Sequence, residues 1–216
     1  MSTTSENRRY SRQDCVVFHK TKEAFGGLSN MAAGFPLEVE GVSIRTSEAL
    51  YQACRFPHNP ELQHLIIGER SPMAAKMRGK PFRSQTRADW DEVRVAVMRW
   101  CLRVKLLQNW ATFSKLLAET GDRPIVEQSR KDRFWGAVPI DSDALEGQNV
   151  LGRLLMELRE LSASSASPSG ISPLSPVDIS DFSLMGQPIR ALDIKTKDVI
   201  EPPAQAGAAS PRLFHD

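Results

Sequence analysis

Thr46-Ser47-Glu48-Ala49-Leu50-Tyr51-Gln52-Ala53-Cys54-Arg55-Phe56 is the stretch that decides how this chain is read. Two hydroxyl residues precede an acid, and a run of good helix formers follows. Thr46 or Ser47 therefore caps a helix that carries Glu48 and Gln52. Immediately upstream, Leu37-Glu38-Val39-Glu40-Gly41-Val42-Ser43-Ile44-Arg45 alternates apolar and polar residues around Gly41. That is a period-2 pattern, predicting a hairpin or a bent strand. Further back lie Gly26-Gly27-Leu28-Ser29-Asn30 and a short apolar run, Cys15-Val16-Val17-Phe18-His19, that reads as a strand. A glycine-loosened loop, a Ser-Asn pair and a lone carboxylate at a helix start are the parts of a small-ligand site.

Downstream the pattern is helical. Asn59-Pro60 and Ser71-Pro72 each place a capping side chain before a proline at the first helical position, opening a helix to about Arg70 and a shorter one with Met73 and Met77. From Ala88 to Leu107, Trp90, Val93, Val97, Cys101 and Val104 recur at three- and four-residue steps as one apolar stripe. Trp110 to Glu119 is a further helix, with Gly121 beyond its end. Ile125 and Val126 add an edge strand, and Asn149 to Leu161 is helical with leucines on one face. Strands come early and helices late, which predicts an α+β fold, mostly helical, with a small antiparallel sheet. No G-x-G-x-x-G follows a strand, so a Rossmann reading is poor.

The expected domain plan is a disordered N-terminus over 1–14 and a catalytic domain over 15–162. A Ser/Pro-rich linker over 163–177, a docking segment over 178–190 and a disordered tail over 191–216 follow. The apolar cluster around Phe182-Ser183-Leu184-Met185 is the reason to expect docking, on the domain or on a partner.

The 216 residues are 41% hydrophobic, enough for one core, and carry a net charge of +2. No run is long and apolar enough to span a bilayer, and Met1 to Asp14 lacks the apolar middle of a signal peptide. A cytoplasmic protein with no membrane partner is expected. Cys15, Cys54 and Cys101 are odd in number and without a C-x-x-C pair, so buried thiols are expected in place of disulfides. No His/Cys/Asp cluster has metal-ligand spacing, so neither metal nor cofactor is expected. Between Arg70 and Lys105 ten Lys/Arg stand against three Asp/Glu. Such a stretch is either a solvated helical surface or a path for phosphates.

Glu48 and Asp132 are the candidate carboxylates. Position alone favours an electrostatic role for Glu48 in the first helical turn. Asp132 precedes Phe134-Trp135-Gly136, an aromatic pair suited to stacking a flat ring, with a glycine that would let backbone approach a ligand. Trp90 heads the apolar stripe and reads as core. Lys20 follows the first strand; desolvated, it could attack an opened sugar aldehyde. Asn30, Arg55, Arg130 and Asn149 are polar groups able to bind sugar hydroxyls or phosphates.

Five ordered blocks resemble the NADAR (YbiA-like) family across about residues 16 to 162. They are Gly27-Leu28-Ser29-Asn30, Ser47-Glu48-x-x-Tyr51-Gln52-Ala53, Ser71-Pro72-Met73-x-Ala75, Asp132-x-x-Trp135-Gly136, and Asn149-x-Leu151-Gly152-x-x-Leu155-Met156-Glu157-Leu158-Arg159. The resemblance implies hydrolysis of N-glycosidic bonds, with catalytic roles for Glu48, Asp132 and Trp90; Lys20, on its chemistry alone, is a rival Schiff-base nucleophile. It implies substrate binding by Gly27, Ser29, Asn30, Arg55, Arg130, Trp135, Gly136 and Asn149. Ala49 and Arg55 depart from the His and Lys usual in the family's segment, which suggests a distinct subfamily. The wording of 45–56 and 98–105 looks like the branch encoded beside DarT-type toxins. That branch implies removal of ADP-ribose from guanine in DNA, with ADP-ribose as product and a DarT-type toxin as partner. Cleavage of ribosylamino-pyrimidine intermediates of riboflavin biosynthesis, and a non-catalytic ADP-ribose-binding role, are the alternatives.

Overall fold

The computed structural model describes residues 6–193. Its elements in chain order are β1 (Arg8–Ser11), β2 (Val16–Phe18), β3 (Leu37–Val39), β4 (Val42–Ile44), α1 (Ser47–Ala53), α2 (Pro60–Gly68) and α3 (Pro72–Arg78). There follow α4 (Trp90–Gln108), α5 (Trp110–Ala118), β5 (Ile125–Glu127), β6 (Val138–Pro139), β7 (Ala144–Gly147), α6 (Val150–Ala163), β8 (Ser183–Leu184) and β9 (Gln187–Pro188). The α+β expectation holds: helices dominate and the sheets are small.

The helix starts follow from capping chemistry. Thr46, Asn59 and Ser71 each accept a hydrogen bond from the backbone N–H three residues on, and Pro60 and Pro72 occupy positions where a missing N–H costs nothing. Strands β3 and β4 pair antiparallel across a two-residue turn at Glu40-Gly41. Helix α4 is the spine of the core. Val97, Met98, Cys101, Leu102, Val104, Leu106 and Leu107 are all buried, and α4 packs on α1, α5 and α6. All three cysteines are buried and free.

Three features differ from the sequence reading. Residues 8–11, expected to be disordered, form β1, which pairs antiparallel with β7 in a three-stranded sheet ordered β1-β7-β6. The alternation there is too short to register as a strand, and its partner lies more than 130 residues away. Strands β2 and β5 pair in parallel, a register that needs a long crossover. The expected linker and tail are also structured. The expected linker contains a short 3-10 turn at Pro168–Gly170, and Leu174 bridges Leu192. The 178–190 segment packs on its own domain: Phe182 lies edge-to-face on Trp100 at 5.0 Å and Leu184 is fully buried. Gln63 donates to Ser183 O at 3.0 Å and accepts from Met185 N, while Arg190 pairs with Glu40. The rest of the expected disordered tail, 194–216, and residues 1–5 lie outside the described residues. Among the described residues no helix is long and apolar enough to cross a membrane.

Candidate active site

Glu48 lies in the first turn of α1 and is almost wholly buried, at 3% exposure. Its carboxylate is not solvated but held. Asn30 Nδ2 donates to Oε2 in a short contact, and Gln52 Nε2 donates to Oε1 at 2.9 Å. Gln52 reaches it because residues four apart share a helix face. Asn30 is fixed in turn. Its carbonyl accepts from Glu48 N at 2.9 Å and from Ser47 Oγ at 3.1 Å, so the Ser29-Asn30 loop is tied to the start of α1. Burial raises the Glu48 pKa. Lys76, the two amide donors and Arg55 oppose it.

Aromatic rings run away from this carboxylate. Tyr51 packs on Trp90 with centroids 4.9 Å apart and meets Trp135 edge-on at 5.6 Å. Trp135 meets Phe134 edge-on at 5.0 Å. Trp90 thus belongs to the core, as its stripe predicts, and to the aromatic wall one helical turn from Glu48. The Arg55 guanidinium lies 5.4 Å from the Trp90 ring centre and donates to Gln52 Oε1 and Thr86 Oγ1, leaving its buried Nε without a partner. Arg55 therefore links the Glu48–Gln52 pair to the aromatic wall.

A second carboxyl, Glu127 at the end of β5, was not among the sequence candidates. It is mostly buried, which pushes its pKa up to about 7, and the charges of Glu48 and Asp132 push in the same direction while Lys76 opposes. The Glu48 charge thus disfavours ionisation of Glu127, so the two carboxyls do not ionise alike. The sequence carried one signal for it: an acid ending an apolar β-run, Ile125-Val126-Glu127, five residues before Asp132.

The other candidates are positioned as follows. Asp132 is the cap of the turn that presents the aromatic pair: its Oδ1 accepts from Phe134 N and Trp135 N, both at 2.9 Å. Asn149 is wholly buried. Its amide donates to Ile125 O at 2.8 Å and accepts from Glu127 N at 3.1 Å, so it aims β5, not a ligand. Gly136 serves close packing of chain on chain, where ligand approach was expected. A Cβ there would meet Glu127 O at 2.5 Å, and Ala137 N bonds that same carbonyl at 2.8 Å. Arg130 is exposed on the loop before Asp132.

Lys20 is also exposed and pairs with Glu23 at 3.3 Å, so it lacks the desolvation that an amine nucleophile needs. The buried lysine is Lys105. Its Nζ donates to Gly27 O at 2.7 Å and Ser29 O at 3.0 Å between the rings of Phe35 and Phe113. Burial pulls its pKa down to about 7. Gly27 and Ser29 thus enter the site through their carbonyls, which Lys105 anchors beneath Asn30. Among the described residues no group of three His, Cys, Asp or Glu could hold a metal ion.

Residues 17–161 match the family described as NADAR domain. N-glycosidase YbiA of Escherichia coli (strain K12) is 35% identical over 161 residues, covering 74% of this chain and 96% of that protein. Riboflavin biosynthesis protein VVA0006 of Vibrio vulnificus (strain YJ016) is 36% identical over 147 residues, covering 67% of this chain and 38% of that protein. The NMR structure of the E. coli protein YbiA is similar with a TM-score of 0.59 and 33% identity, over 71% of this chain and 91% of that one.

Proposed function

The chain belongs to the NADAR family, and on that premise we propose that it is an N-glycosidase that removes ADP-ribose from guanine bases in DNA, reversing the modification made by a DarT-type toxin. The observation that carries the hydrolytic reading is the buried Glu48 carboxylate, gripped by Asn30 and Gln52 beside a second carboxyl, Glu127. Cleaving a C1′–N bond builds oxocarbenium-like charge on the sugar, and one carboxylate stabilises it while a carboxylic acid protonates the departing base. Glu48, held by its donors and by Lys76 and Arg55, supplies the negative charge and accepts the proton of the attacking water. Glu127, protonated up to about pH 7, gives its proton to the base nitrogen. Water's oxygen ends on C1′, and the base leaves with the N–H. Trp135, only partly buried, offers its ring to the flat base, with Tyr51 and Trp90 packed behind it, and Asp132 holds Trp135 in place.

The nucleic-acid substrate is supported by what remains of the basic stretch. Arg78, Arg87, Arg94 and Arg99 are paired with acids and Lys105 is buried. Lys76 and Arg83, both exposed, act electrostatically on the site: Lys76 on Glu48 and Glu127, Arg83 on Arg55. A cationic rim beside a buried carboxylate suits a phosphate-bearing substrate. The 178–190 segment is occupied by its own domain, so the proposed antitoxin role rests on reversing the modification, not on that segment meeting a toxin. A second reading, cleavage of ribosylamino-pyrimidines, is favoured by the relative whose name places it in riboflavin biosynthesis.

The test is release of ADP-ribose from a guanine-ADP-ribosylated DNA oligonucleotide by wild type and Glu48→Gln. Release by wild type, reduced by roughly 10²–10⁴ in the variant, supports the proposal. Absence of release, with turnover of a ribosylamino-pyrimidine phosphate, selects the second reading. Borohydride trapping of a Lys20 adduct would replace direct water attack with the Schiff-base route.

A further inference from the structure

On the far side of the aromatic wall from Glu48, helices α4 and α6 flank a groove of about 220 Å³. Its aromatic wall is Phe134, and the Arg94 guanidinium lies on that ring's face at 3.9 Å. Arg94 makes one weak ion pair, 3.4 Å to the exposed Asp91, and its buried Nε has no partner. Arg153, one turn into α6, faces the same groove and has no ion-pair partner among the described residues. Arg99 closes one end through its pair with Glu157 at 2.9 Å. The two acids leave the groove with one cation in excess. The free capacity of Arg94 and Arg153 is for an acceptor with several oxygens, and a guanidinium fork matches phosphate geometry in particular.

A chain of three rings links the groove to the chemistry. Phe134 meets Trp135, and Trp135 meets Tyr51, which is three residues from Glu48 on α1. A ligand whose sugar sits at Glu48 could therefore run its phosphate arm past Phe134 to the arginines. We propose that this groove is the subsite for the substrate's phosphate, with Arg94 and Arg153 as its ligands and Phe134 as the wall that holds Arg94 flat. The proposal rests on the N-glycosidase reading for the identity of the arm: the diphosphate of an ADP-ribosyl group, or the single phosphate of a ribosylamine.

Calorimetric titration of the full chain with ADP-ribose and with ribose 5-phosphate tests it, without turnover. Wild type, Arg153→Ala, Arg153→Lys and Lys115→Ala are compared, the last removing an exposed charge on α5. The expected result is about tenfold or greater weakening in Arg153→Ala, partial recovery in Arg153→Lys, and no change in Lys115→Ala. Tighter binding of ADP-ribose assigns the diphosphate; equal binding of ribose 5-phosphate assigns the monophosphate. Equal effects of Arg153→Ala and Lys115→Ala, or no binding by wild type, overturn the subsite. Arg153-dependent binding without ADP-ribose release from DNA leaves the subsite standing and removes the DNA reading. Release with a KM indifferent to Arg153 does the reverse.

Discussion

Replacing Glu127 by Gln is expected to make the protein more stable and less active at once, and the stability gain must grow with pH. Burial and the charges of Glu48 and Asp132 lift the Glu127 pKa from an ordinary 4.5 to about 7. Below pH 4.5 the side chain is neutral in both folded and unfolded chains and contributes no pH dependence. Between 4.5 and 7 the unfolded chain releases this proton and the folded one keeps it, so stability falls as pH rises. The interval is about 2.5 pH units, and at 1.36 kcal/mol per unit it costs up to about 3 kcal/mol. Above pH 7 the loss is complete and constant. Gln cannot ionise, so the variant escapes it. Urea unfolding of wild type and Glu127→Gln at pH 5 and pH 8 should show the variant's advantage widening by about 2–3 kcal/mol between the two. Over the same range wild-type kcat should decline above about pH 7, and the variant should be slower by about 10²–10⁴ with that decline gone. A stability difference that does not change between pH 5 and pH 8 would refute the buried-acid assignment, whatever happened to activity.

Three other perturbations bear on the frame of the site. Gly152→Ala should destabilise by more than about 2 kcal/mol in thermal unfolding, because its Cβ would meet Ile125 O at 2.1 Å and the Asn149 amide at 2.5 Å; a neutral result would mean that β5 is not clamped on α6. Asp132→Ala should lower kcat by misplacing Trp135, with Asp132→Asn recovering much of it through its amide oxygen, since the acid's work is to accept from two backbone N–H groups; failure of Asn to rescue would argue for a charged role. Phe182→Ala should cost about 3 kcal/mol or more and open 178–190 to proteolysis, given the lost contact with Trp100; unchanged protease resistance would mean that the segment is held by its polar contacts alone.

What could be read before the structure was mostly local. Thr46, Asn59-Pro60 and Ser71-Pro72 declare their helices because a cap acts over three residues. The α4 stripe declares its buried face because helical period is local too. Glu48 was legible as a catalytic candidate through the family resemblance of its motif, since its position alone favours an electrostatic role, and its grip by Asn30 depends on a loop 18 residues away. Lys105 was counted with a basic surface, and nothing near it in sequence reveals that the carbonyls of Gly27 and Ser29, more than 70 residues earlier, accept its hydrogen bonds. Lys20 misled for the opposite reason: proximity to a glycine loop says nothing about desolvation. Asn149 and Gly136 sit in recognisable motifs, yet they serve the packing that aims Glu127.

The contact between Phe182 and Trp100 also sets an order of events during synthesis. Trp100 leaves the ribosome roughly 80 residues ahead of the ring that covers it, about 4–16 s at 5–20 residues per second. Until then the indole lacks the Phe182 ring, and the Gln63 amide, already bonded to Ala53 O, lacks its partners Ser183 and Met185. The nascent domain carries a temporary apolar scar on the flank of its core until the 178–190 segment has been made. A chaperone that recognises exposed aromatics would find this chain during that interval and lose it once the 178–190 segment has been made.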